Sequence, residues 1–192
     1  MTGPSRRRLL AVVGGTIAVG AVGCLGDDAN DTEETEPALE SHPGDGPIEV
    51  PDGKICDGVC GMSAEEPAAW VGQLAHDDGT GAFFCSVGCL VAYVAAPEYA
   101  EGNDAPVTGA WVPDYVSKDV IDGLGAHYAL EDDEDYEHEP MGINPRPFAA
   151  YEEAIAYVDS RERLTEDDII EFPDFDLETA RIYRGNRLPN PD

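Results

Sequence analysis

Lysine occurs only twice in these 192 residues, at Lys54 and Lys118, and all basic side chains together number 11 against 40 Asp and Glu. A chain so poor in positive charge cannot neutralise phosphates with its body, which excludes nucleic acid and anionic lipid surfaces as partners of that body. Long apolar runs are equally scarce. The one present, Leu9 to Gly23, holds 15 residues, short of the roughly 20 that a permanent bilayer span needs. Catalytic signatures are missing as well: there is no Gly-x-Ser-x-Gly, no phosphate-binding glycine loop and no His-Glu-x-x-His. Acidic pairs such as Asp77-Asp78 and Asp132-Asp133 are too common here to mark acid–base chemistry. These absences favour a binding protein over an enzyme.

What is there begins with an export signal. Ser5-Arg6-Arg7-Arg8 is cationic, the apolar run follows, and Ala21-Val22-Gly23-Cys24 places small residues just before a cysteine. The paired arginines resemble a Tat signal, and the last four residues resemble a lipobox in which Cys24 is lipidated and becomes the mature amino terminus. Residues 1–23 are therefore expected to be removed. The chain is expected to sit on the extracytoplasmic face of the cell membrane, held through Cys24. Residues 24–50 read as an acidic, disordered tether, too poor in apolar side chains to fold. Without the signal, 8 basic residues face 40 acidic ones, a charge of −32. Acids spread along the whole chain fit adaptation to high salt, where repulsion is screened within a few ångströms. This points to a halophilic, archaeal source.

The periodic signals lie between residue 51 and about residue 164. Gly81 to Phe84 predicts a strand running into a helix capped near Ser86, with Val87, Leu90, Val91 and Val94 on one face and Pro97 as the stop. Phe148 to Ser160 predicts a second helix, with Pro147 before its first turn. Gly109 to Val112 and Ala126 to Leu130 read as strands, separated by a turn-rich stretch from Asp119 to Gly125. At an offset of 64, Phe84 falls on Phe148 and Ala92-Tyr93-Val94 on Ala156-Tyr157-Val158. The expected fold class is α+β: two small related ββα-like units in tandem, over 51–108 and 109–164. Residues 165–192 form a tail. A short helix is expected from Thr165, after which Pro173, Gly185, Pro189 and Pro191 argue against much regular structure.

With Cys24 set aside, four cysteines remain in two C-x3-C pairs, Cys56 with Cys60 and Cys85 with Cys89, and Met62 follows the first pair. Three chemistries compete. An exported chain with an even cysteine count suits disulfides. Four thiolates suit tetrahedral zinc, and Phe-Cys-Ser-x-x-Cys resembles the second half of TRASH-type metal-binding modules. Soft thiolate and thioether together suit Cu(I), and only copper gives a reason for a methionine two residues after a cysteine. The chain has three methionines; Met62 and Met141 both sit beside glycines in loop-like sequence rather than on apolar helix faces, which favours ligation over core filling. A redox role for Cys56 and Cys60 would want them at a helix start, which Gly61 disfavours.

Cys60-Gly61-Met62, Phe84-Cys85-Ser86 through Ala92-Tyr93, Ala126-His127-Tyr128, Pro140-Met141-Gly142 and Pro147-Phe148 stand in the order of landmarks of the NosL family, lipoprotein accessory proteins of nitrous oxide reductase. The resemblance runs from about Cys56 to Val158. It implies a non-enzymatic, extracytoplasmic Cu(I) metallochaperone that supplies the copper clusters of nitrous oxide reductase together with an ABC-type maturation complex. It also implies two related ββα-like units. Carried over by motif, the copper ligands are Cys60, Met62 and Met141, with His127 as a further ligand. Cys56 departs from the family spacing, since three residues separate it from Cys60 where the family has two. Cys85 and Cys89 are left between metal binding and a disulfide, and His138, near Met141, is an outside candidate.

Overall fold

The chain divides after Glu36, and the computed structural model describes residues 39–65, 70–100, 102–133, 135 and 141–188, all in the second unit, Pro37–Asp192. The signal, Cys24, most of the tether and His138 lie outside the described residues. So does most of the acidic stretch before Met141. Among the described residues the fold is mixed α and β, with two antiparallel sheets and three α-helices. No helix among them is long and apolar enough to cross a membrane.

The first sheet contains β1 (Glu40–Ser41), β2 (Gly72–His76), β3 (Thr80–Phe84), β4 (Val107–Pro113) and β5 (Val120–Asp122), in the order β1-β3-β2-β4-β5. Between β3 and β4 comes α1 (Val87–Ala95). Leu74, Ala82, Phe84, Ala110 and Val112 turn toward α1 and join Leu90 and Val91 in the main core. The opposite face carries Gln73, Phe83 and Trp111, the residues that alternation in a strand puts there. That face is covered by the segment after β1: His42 stacks on Trp111 at 4.9 Å, and the Gln73 amide bonds both the N–H (3.0 Å) and C=O (2.8 Å) of Ile48. The expected tether is therefore ordered from residue 39 onward. Its acidity hid this, because a few well-placed groups are enough to cover a sheet face.

The second sheet, β7-β6-β8, contains β6 (His127–Ala129), β7 (Arg146–Phe148) and β8 (Ile169–Glu171), and carries α2 (Tyr151–Asp159). Ala129, Phe148, Ala154, Tyr157 and Val158 form its own smaller core. Tyr151–Asp159 lies 64 positions on from Val87–Ala95 at both ends, the offset seen in the sequence. Phe148 closes a strand rather than opening the helix. The boundary expected at residue 108 falls inside β4, whose pairing with β2 carries the first sheet on through β5.

The largest departure is the tail. Its first turn, Glu166–Asp168, is a 3-10 turn closed by a capping box between Thr165 and Asp168. Beyond it, β8 joins the second sheet and α3 (Leu177–Arg184) packs against α1. Asp176 caps α3, its carboxylate accepting from the Thr179 N–H at 2.8 Å. The prolines and glycine bracket these elements without breaking them: Pro173 sits in a 3-10 turn and Gly185 just past α3. With α3 on its outer side, α1 is buried from Val87 through Tyr93, where its sequence pattern predicted a single buried face.

Candidate metal centre

Two local structures bring the cysteines together. The first is a tight loop from Cys56 to Met62, closed by a bond from the Cys56 N–H to the Met62 carbonyl at 2.7 Å. Gly58, at φ +62, turns this loop where a side chain would strike the Ala100 carbonyl, so only glycine fits. The second is the junction of β3 and α1, which holds Cys85 and places Cys89 in the first turn of the helix. Asp57 ties the two. Its buried carboxylate accepts from the Phe83 N–H at 2.8 Å, its own N–H donates to the Phe83 carbonyl at 2.9 Å, and Lys54 Nζ lies 2.9 Å away. Burial pushes the Asp57 pKa up, while the Phe83 N–H and Lys54 oppose the shift.

The result is four free thiols whose sulfurs all lie within 4.8 Å of one another. Cys60 Sγ is 3.5 Å from Cys85 and 3.9 Å from Cys89, and Cys85 is 3.9 Å from Cys89. Cys56, Cys85 and Cys89 are buried, whereas Cys60 is half-buried. The thiols share protons unequally. Hydrogen bonds from Cys56 and then Cys85 bring Cys60 down to about 7. Cys89 falls well below the usual thiol range, through bonds from Cys56, Cys60 and Cys85 and the charge of Arg184. Cys56 is pushed up, its proton held by the other three sulfurs. Such a set offers the donors a thiophilic ion takes, because the ligand form of cysteine is the thiolate.

Cys60 and Met62 lie on the same loop, and Met62 is 45% exposed. Met141 adopts φ +67 and packs half-buried against the main core. Ile143 and Asn144, just beyond it, both accept hydrogen bonds from Arg184. His127 belongs to the second sheet, where its Nδ1 lies 3.7 Å from Glu171 and its ring meets Tyr151 edge-on at 5.2 Å. It is not part of the four-thiol group. Cys56, Cys85 and Cys89, the positions least settled by motif, are the ones gathered around Cys60. His42 and His76 are buried: His42 accepts from the Gly44 N–H, and His76 pairs with the Ala105 carbonyl and the Tyr93 hydroxyl. Sequence reasoning passed over Arg184, which donates from Nε to Cys89 Sγ at 3.1 Å. Its signal was the cap Asp176-x-x-Thr179 and the spacing of Leu177, Ala180, Tyr183 and Arg184.

The NosL family model matches residues 47–167, the whole span from the cysteine loop through α2. The chain belongs to the NosL family. The match leaves β1, β8 and α3 outside. Among solved structures, the copper chaperone NosL from Shewanella denitrificans is similar in fold, with a TM-score of 0.52 at 18% identity over 71% of this chain and 98% of that one. No curated protein matches this chain in sequence.

Proposed function

We propose that this NosL-family protein is an extracytoplasmic Cu(I) metallochaperone whose cargo is held by the four-thiol cluster. The observation that carries this is the convergence of Cys56, Cys60, Cys85 and Cys89 as free thiols within 4.8 Å, in a family named for a copper chaperone. Soft thiolates select Cu(I), and an ion of low coordination number needs only some of them at once. Transfer follows from the asymmetry of the site. Three sulfurs are buried, while half-buried Cys60 and exposed Met62 form the edge, so an incoming ligand displaces Cys60 first and the ion leaves by ligand exchange. Met141 stands beside the loop that braces Arg184 and serves as a further thioether on that route. The protein carries its ion and catalyses nothing. Its client is nitrous oxide reductase, reached with an ABC-type maturation complex from a membrane position fixed by lipidated Cys24. The shared 64-residue offset supports reading the two strand–helix halves as related units.

The sulfur spacing favours one other ion. A tetrahedral zinc with bonds of about 2.3 Å sets its thiolates about 3.8 Å apart, and the three spacings of 3.5, 3.9 and 3.9 Å match that. Zinc here would be structural. Competition titration of the reduced full-length chain separates the two. The copper reading expects one Cu(I) per chain and at least tenfold weaker binding in Cys60→Ser. Stoichiometric zinc that Cu(I) does not displace would overturn it.

A further inference from the structure

Arg184 is 1% exposed and is carried by α3, outside the span that the family model matches. A buried guanidinium keeps its charge and must find a compensating partner. Its Nη1 donates to the carbonyls of Ile143 (3.1 Å) and Tyr183 (2.6 Å), and its Nη2 to Ser86 Oγ and Asn144 Oδ1, both at 2.6 Å. All four acceptors are neutral oxygens. No ion pair joins Arg184 to a carboxylate among the described residues; the remaining acceptor is Cys89 Sγ at 3.1 Å. The surroundings are shaped for this group. A Cβ at Gly88 would come within 2.8 Å of Arg184 Nη2 and of Asn144 Oδ1. Glycine at that position, one residue before Cys89, makes room for the guanidinium. Ser86, at the start of α1, spends its hydroxyl on Arg184, and no side-chain cap bond is made there.

We propose that Arg184 is a positioning residue of the metal centre: it fixes the Cys89 sulfur by an N–H···S bond and offsets the negative charge that thiolates bring around the ion. Four thiolates around Cu(I) or Zn²⁺ leave excess negative charge in a buried site, and a cation in van der Waals contact with one of them reduces it. Outer groups of this kind orient metal ligands and tune their donor strength. The same side chain links the loop after Met141 to Cys89, so α3 couples that methionine-bearing loop to the cluster. This inference rests on the cysteines holding a thiophilic ion, whichever of the two it is.

The test uses the full-length reduced protein, loaded separately with Cu(I) and with Co²⁺ as a spectroscopic stand-in for zinc. Arg184→Gln is expected to weaken binding of both ions by about 10–100-fold. It is also expected to move the thiolate-to-cobalt charge-transfer band to lower energy, because a sulfur without its N–H bond is a stronger donor. Arg184→Lys keeps the charge without the fork, and should recover part of the affinity but not the band position. Gly88→Ala, which displaces the guanidinium while leaving every donor in the chain, should shift the band in the same direction as Arg184→Gln. These two variants decide the matter if the glutamine variant does not fold. Wild-type affinity and an unmoved band in the folded variants would overturn the role of Arg184. Failure of the wild-type protein to bind either ion would instead overturn the metal centre itself.

Discussion

The two strand–helix halves solve the same packing problem with different chemistry. At the 64-residue offset, Phe84 and Phe148 both close a strand, but Cys85 corresponds to Ala149, Ser86 to Ala150 and Cys89 to Glu153. In the second half, α2 keeps a solvent face, with Tyr151, Glu152 and Glu153 exposed, and it needs no further layer. In the first half α1 is buried on both sides, which requires α3. Each half also pairs a guanidinium with a buried acceptor. In the second, Arg161 Nε lies 3.3 Å from the buried Glu131 carboxylate, which also accepts from the Tyr157 hydroxyl at 2.8 Å. In the first, Arg184 meets a sulfur. Where a carboxylate answers the guanidinium the network is structural; where a thiol cluster answers it, the electrostatics suit a site that takes up metal.

That contrast can be broken most strongly at Glu131. Glu131→Ala removes the buried carboxylate shared by Tyr157 and Arg161 and should cost about 1.5–3 kcal/mol of stability, read as a lower midpoint in denaturant, while Cu(I) affinity of the folded protein stays within about twofold. A large loss of affinity at undiminished stability would mean that the two halves are not separable in this way. A smaller effect sharpens the first half. In the metal-free protein Cys60 is the partly exposed thiol, and its pKa is lowered to about 7. The thiolate is the reactive form, so iodoacetamide labelling of Cys60, followed by mass spectrometry, should rise as pH increases through about 7. The denatured chain should label only as pH approaches the ordinary thiol value of about 8.5. Coincident profiles would show that the neighbouring thiols do not donate to Cys60.

The strand ending at Phe84, the helix after Ser86 and the strands through Trp111 and His127 were legible because local apolar spacing dictates them. The two C-x3-C pairs were legible as a possible four-thiol set, but nothing in the spacing chose between that, a disulfide and a cysteine–methionine site. What gathers the four sulfurs is contact across distance. Asp57 meets Phe83, 26 positions away, and this carries the cysteine loop to the helix start. Arg184 meets Cys89, 95 positions away. No periodicity encodes such pairings. The ordered segment from residue 39 and α3 were hidden for a related reason: acid-rich or proline-flanked sequence predicts little structure by itself, and both segments gain order by covering a surface that another part of the chain leaves apolar.

The central claim, that the cargo sits among the cysteines rather than on His127, is tested most directly by copper K-edge X-ray absorption on the Cu(I)-loaded full-length protein. The account predicts a first shell of sulfur alone, lost when Cys60 and Cys89 are both changed to serine. A nitrogen neighbour that disappears in His127→Ala, with sulfur contributed by the methionines only, would contradict it.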